Sequence, residues 1–232
     1  MPRIIYIHVP KCGGSSFGTA LRLRYCLSQA VIDLDPGDPT APAGPRMRAD
    51  YERRRAQLHR LVARGTRMIS GHVQYDHMLH DGAAKDYVFI TLLRDPVARF
   101  VSHYNYLQRR HPSPTRAICL ADFLDTADAM RLASQYLFYF AGQNLQPGQD
   151  PAPLIARAIA ALKRFDIVGD LSQPHVFTKR LQHYTGSPFP LWQRNAAPVP
   201  TEIPTGLRPR IEALCAADIA VYRAARTTRI AA

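Results

Sequence analysis

The chain has 232 residues, 47% of them hydrophobic and 21% charged, which suits a single α/β domain with a sizeable core. Its formal net charge is +12, and only four of the 30 basic residues are lysines (Lys11, Lys85, Lys163 and Lys179), so arginine, suited to bidentate binding of phosphate, sulfate and carboxylate, carries the excess. No apolar run approaches the roughly 18 residues that span a bilayer, no signal-peptide pattern opens the chain, and the four scattered cysteines have no C-x-x-C spacing, which argues against a zinc site or redox motif; a cytoplasmic, reducing setting is expected.

Residues 3–9 (RIIYIHV) form a short apolar, β-branched run, the pattern of a strand buried on both faces. Residues 15–27 read as a helix with Phe17 and Leu21 on one side. Residues 33–45 (DLDPGDPTAPAGP) read as a surface loop, and residues 46–64 as a charged helix whose arginines form a solvated face. Further strands are expected at 67–73 (RMISGHV) and 86–94 (DYVFITLLR). The second leads into a helix over 95–110, with Asp95 as N-cap and Pro96 at the first helical position. Val97, Phe100, Val101, Tyr104 and Leu107 make its apolar stripe. Helical patterns cover 120–141 and 150–164, a strand 165–170 (FDIVGD), and helices 173–185 and 207–226. The proline-rich stretch 186–204 links the last two. Strands alternating with helices predict a P-loop-like three-layer α/β/α fold, a central parallel sheet with helices on both faces, in one domain over 1–232.

In such a sheet, ligands bind at the carboxyl ends of the strands. The first strand delivers HVPKCGGSSF (8–17) to that edge. Gly13 and Gly14 let successive backbone N–H groups turn inward as an anion nest, and the following helix adds its positive N-terminus. Ser15 and Ser16 add hydroxyls, Cys12 a backbone N–H, and Lys11 a point charge. The combination favours phosphate or sulfate. It is not a Walker A loop, in which lysine follows the glycines; an ordinary tight strand–helix turn is the plainer alternative. Arg94 ends a strand and should emerge at the same edge. Ser102 lies about 10 Å along the next helix, so one phosphate could take the Arg94 fork and the Ser102 hydroxyl. Arg99 is on the same face as Ser102. Taken singly, each of these is as readily a structural residue.

Together, HVPKCGGSSF (8–17) and RDPVARFVS (94–102) resemble the two nucleotide-binding motifs of sulfotransferases that use 3′-phosphoadenosine-5′-phosphosulfate (PAPS), in the branch (sulfotransferase family 2) that includes heparan sulfate 2-O-sulfotransferases. There P-K-[TC]-[AG]-[GS]-[ST]-[ST] binds the 5′-phosphosulfate and R-D-P-x-x-R-x-x-S the 3′-phosphate. The resemblance implies that Lys11, Cys12, Gly13, Gly14, Ser15, Ser16, Arg94 and Ser102 bind PAPS. It implies adenosine 3′,5′-bisphosphate (PAP) as the second product and no metal. Lys11, placed before the glycines, would reach the oxygen bridging phosphorus and sulfur, where charge builds in the transition state. SGHVQYD (70–76), SQYLFYFAG (134–142) and FDIVGDLSQ (165–173) extend the resemblance.

His72 follows the second predicted strand, and an imidazole serves as a base near neutral pH. The resembling branch often reads H-G-H where this chain reads Ser70-Gly71-His72, so His72 is either the base or a residue that positions the acceptor. His77 and His80 are weaker candidates. Trp192 and Arg194, in the 186–204 stretch, suggest a lid over the nucleotide. The expected acceptor is a hydroxyl on a glycan or glycolipid, consistent with a basic surface. A catalytically impaired relative is the alternative. A nucleic-acid-binding module rests on charge alone, without an RNP, KH or zinc-finger motif.

Overall fold

The computed structural model describes residues 1–32, 43–110, 119–186 and 203–230. In chain order its regular elements begin with β1 (Arg3–Ile7), α1 (Gly14–Arg24), β2 (Gln29–Ile32), α2 (Ala43–Ala63), β3 (Met68–Gly71), α3 (His77–Asp81), β4 (Tyr87–Leu93) and α4 (Pro96–Arg110). They continue with α5 (Leu120–Phe123), α6 (Ala127–Ala133), α7 (Ala152–Lys163), β5 (Ile167–Asp170), α8 (Pro174–Thr185), α9 (Arg208–Leu214) and α10 (Ala216–Ala225). A π-turn, Leu137–Ala141, lies between α6 and α7.

All strand pairings are parallel, in the order β2-β3-β1-β4-β5. Strand alternation sorts the side chains into two cores. Ile4, Tyr6, Met68, Ile90, Leu92 and Ile167 face α1 and α8, meeting Phe17, Leu21, Phe177 and Leu181. Ile5, Ile7, Ile69, Phe89, Leu93 and Val168 face the opposite way, against α2, α7 and α10 through Leu58, Val62, Leu154, Ala158 and Val221. This is the three-layer α/β/α arrangement expected of buried parallel strands. A third cluster packs α4 on α6 and α9.

The structure departs from the sequence reading in four places. The first helix ends at Arg24, with Tyr25 as its C-cap, because the chain must turn back to form the short edge strand β2; Leu27 is left 99% exposed. The helical pattern over 120–141 is broken. Thr126 caps α6 by accepting from the Ala129 N–H at 3.1 Å, and the Asp218 carboxylate then takes the N–H groups of Tyr136 (2.8 Å) and Leu137 (3.2 Å). The last helix is divided at Cys215. Finally, α2 does not present all its arginines to water: Arg54 is 1% exposed. Asp95 behaves as read, accepting from the Ala98 N–H at 2.9 Å.

Candidate active site

β1 and β4 are hydrogen-bonded neighbours, with β3 on the far side of β1. The loops after these three strands therefore leave the same sheet edge side by side, which is where an open parallel sheet binds ligands.

After β1 the backbone enters the left-handed region at Lys11 (φ 68°) and again at Gly13 (φ 78°). For a non-glycine residue that conformation costs about 1–2 kcal/mol, so Lys11 is held there by its surroundings. One support is visible: Arg94 Nη1 donates to the Lys11 carbonyl at 3.3 Å. Gly13 is the N-cap of α1, and its left-handed φ of 78° is what favours glycine there; a Cβ would also press on Leu171 Cδ1 at 2.6 Å. Gly14, Ser15 and Ser16 form the first turn of α1, which contains no acidic residue. The side chains of Ser15 and Ser16 lie outside the described residues, as do Trp192, Arg194 and the 187–202 part of the expected lid.

Cys12 is buried. Its N–H donates to the Val9 carbonyl at 3.3 Å, and its thiol lies 3.8 Å from the Tyr136 hydroxyl. Burial pushes that thiol up to about 11, so it stays protonated. Tyr136 also accepts from the Arg94 N–H at 2.8 Å and donates to the Arg94 carbonyl. One buried tyrosine thus links the two motifs from beneath.

Lys11 Nζ sits 4.4 Å from the centroid of the Tyr106 ring on α4. Burial lowers its pKa, and Arg109 and Arg94 lower it further. Mutual repulsion of these cations is what a bound polyanion would relieve, so the residues present fit an anionic nucleotide. Ser102 lies on α4, partly buried. Arg99, which the helix period places on Ser102's face, does not join it: it is wholly buried, donates to the Leu132 carbonyl, lies 3.6 Å from Asp218 and packs over the Tyr136 ring.

His72 follows β3. Its Nδ1 is 2.7 Å from the His8 carbonyl, an acceptor, so Nδ1 carries the proton and the neutral ring keeps its lone pair on Nε2. The rings of His8 and His72 stack at 4.4 Å. Arg54 Nη1 donates to the His72 carbonyl at 2.7 Å and is itself anchored by Asp50. Gly71 is fixed by packing, since a Cβ would lie 2.4 Å from the Ile32 carbonyl oxygen of β2. Ser70 is buried within β3.

His80 is removed from this edge. It stacks at 4.0 Å on Phe89, in the amino-terminal half of β4, and pairs with the Tyr75 hydroxyl at 2.8 Å. His77 is exposed on α3. Among residues the sequence reading did not single out, His103 on α4 has a buried Nδ1 without a hydrogen-bond partner, and burial pushes its pKa down to about 3, helped by Arg99 and Lys11. The signal for Tyr106 was its place four residues after Ser102, and Tyr136 fell in the 134–142 stretch that extends the resemblance; for His103 and Arg54 there was none.

Fold and site together describe a phosphate-loop α/β protein with a cationic lysine placed ahead of its glycines. The sulfotransferase family model matches residues 2–133, more than half of the chain, and the chain belongs to that family. A solved sulfotransferase structure from Alicyclobacillus acidocaldarius superposes with a TM-score of 0.54 at 19% identity, over 100% of this chain and 98% of that one. At that identity the likeness concerns the fold. No curated protein matches the chain. Among the described residues no group of His, Cys, Asp or Glu is arranged to hold a metal, and no helix is long and apolar enough to cross a membrane.

Proposed function

We propose that this protein is a PAPS-dependent O-sulfotransferase of one domain, acting in the cytoplasm on the hydroxyl of a carbohydrate or glycolipid. The observation that carries the reading is the hydrogen bond from Arg94 to the Lys11 carbonyl. It joins two sequence motifs that lie far apart along the chain. A single extended anion with phosphate groups at both ends is the ligand such a junction suits. The cytoplasmic setting agrees with four unpaired cysteines, two of them exposed.

The 11–16 loop and the N-terminus of α1 receive the 5′-phosphosulfate, and Arg94 with Ser102 receives the 3′-phosphate. PAPS supplies the sulfuryl group, and its bridging oxygen takes up negative charge as the S–O bond breaks. Lys11 offers a cation for that charge. It is desolvated and surrounded by other cations, which brings its proton closer to being shared with the leaving oxygen. His72 receives the acceptor's proton on Nε2, because the His8 carbonyl commits the other ring nitrogen to donation. Ser70, buried in the strand, leaves that work to His72. Exposed arginines on α2, among them Arg48 and Arg60, add positive potential that suits an anionic glycan.

Calorimetric titration with PAP and with ATP tests the reading. Binding of PAP in clear preference to ATP is expected; preference for ATP, or binding of neither, overturns it. PAP binding without sulfuryl transfer to any of a panel of sugars, glycolipids and phenols would favour an impaired relative.

A further inference from the structure

The contact between Lys11 and Tyr106 joins the two motifs through an aromatic face. Tyr106 lies four residues beyond Ser102, so the two share one side of α4 about 6 Å apart along the axis. An ammonium over a tyrosine ring is attracted to the negative face of its π-system, more strongly where water is thinned. The other groups facing Lys11 oppose its charge or leave it unaided. Arg109 on α4 and Arg94 at the end of β4 repel it. His103 on α4 and His8 after β1 are both held uncharged by burial, and His72 stacks beyond His8. Of these neighbours only the Tyr106 ring favours the ammonium.

We propose that Tyr106 is a positioning residue for the transfer lysine: in the donor-free protein its ring keeps the Lys11 ammonium charged and docked on α4, between the loop of one motif and the helix of the other, poised for the donor's bridging oxygen. This rests on the role given to Lys11 above. The Lys11 contact is with the ring face, so phenylalanine preserves it and leucine does not.

The scarcity of lysine makes the test direct. Selective carbon-13 and nitrogen-15 labelling gives side-chain signals from four lysines, and the signal lost in Lys11→Arg identifies Lys11. In the wild type its ε-methylene protons should be shifted upfield by the ring current of Tyr106, whose centroid is 4.4 Å from Nζ. Tyr106→Phe should retain that shift, and Tyr106→Leu should abolish it and lower the lysine's titration midpoint. Progressively fluorinated phenylalanines at position 106 weaken the negative face without changing its shape. They should lower the midpoint stepwise, which keeps the test decisive if the leucine variant fails to fold. In turnover, Tyr106→Leu should lower kcat about three- to tenfold. The KM for PAPS should stay within about twofold, and the alkaline limb of the pH profile should move to lower pH, with recovery in Tyr106→Phe. A wild-type ε-methylene without an upfield shift, or one midpoint shared by the phenylalanine, leucine and fluorinated variants, overturns the proposal. The spectroscopic arm uses neither donor nor acceptor, so its outcome is independent of whether PAP binds.

Discussion

At Lys11 a left-handed backbone, which a β-carbon disfavours, meets a cation that must precede the glycines. The cation is the feature that the proposed chemistry uses, and with Arg94 it yields a pair of predictions. Lys11→Ala removes a charge used in the transition state, so sulfuryl transfer should fall by about 10²–10³-fold while PAP affinity stays within about tenfold. Arg94→Ala should behave in the opposite sense. It removes charge-assisted hydrogen bonds to the nucleotide, worth about 1.5–3 kcal/mol, and should weaken PAP about 10- to 150-fold. Parallel calorimetry and single-turnover assays read the split; equal losses of binding in both variants would refute it. These two residues could be singled out in the sequence because their identity and local spacing carry the proposed chemistry. Arg54 and Tyr136 were not, because their roles exist only through groups distant along the chain, the His72 carbonyl and the Arg94 peptide.

Helix α4 shows how one element divides its labour. Arg94 stands just ahead of it, Ser102 lies midway along it, its apolar stripe packs on α6 and α9, and Arg99 turns inward. The 3.6-residue period put Arg99 beside Ser102, but periodicity does not say how deep a face lies. Depth is set here by Asp218 on α10. Its carboxylate sits opposite Arg99 and caps the N–H groups of Tyr136 and Leu137. Burial pushes its pKa up to about 7, against the pull of Arg99 and of those N–H groups. Asp218→Ala should therefore leave a buried guanidinium unpaired and two N–H groups without acceptors. The expected loss is about 3–5 kcal/mol of folding stability, read from urea unfolding. A loss below about 1 kcal/mol would show that Arg99 finds another partner or reaches water. The same carboxylate explains why the helical pattern over 120–141 did not run through: an acceptor from another helix took N–H groups that a continuous helix would have used.

For the molecule as a whole, the half-buried histidines near the sheet edge set the acid response. His103 has its pKa pushed down to about 3 by burial, and His8 is held well below its ordinary value by burial and by His72 and Lys11. In the unfolded chain both protonate near 6.5. The unfolded state then binds more protons, so their contribution is complete above about pH 6.5 and is lost as the pH falls toward the folded-state values. Asp218 works in the other direction, since its raised pKa favours the fold below about pH 4 and is lost as the pH rises through about 7. With His80, whose pKa burial also lowers, three histidines stand against one carboxyl and leave a net loss on acidification. Stability should fall between pH 6.5 and 4.5, and His103→Gln should flatten that fall by up to about 1.4 kcal/mol per pH unit. Urea midpoints across the range test it; an unchanged slope in the variant would place the acid sensitivity elsewhere.

The alternation of apolar runs determined the layered parallel fold, and the two motifs marked the strand ends at which the anion site is proposed. Such features are local: strand period, helix period and loop composition are written within a dozen residues. The edge strand β2 escaped because four residues give too short a pattern to oppose the helix before them. Tertiary structure alone decided which arginines are buried as fasteners and which stay exposed, and which histidine stands at the carboxyl edge rather than behind Phe89. It also decided where the Lys11 ammonium rests. A charge is tolerated in the interior only opposite a partner, and the partners of Arg54, Arg99 and Lys11 include groups that only the packed chain brings within reach.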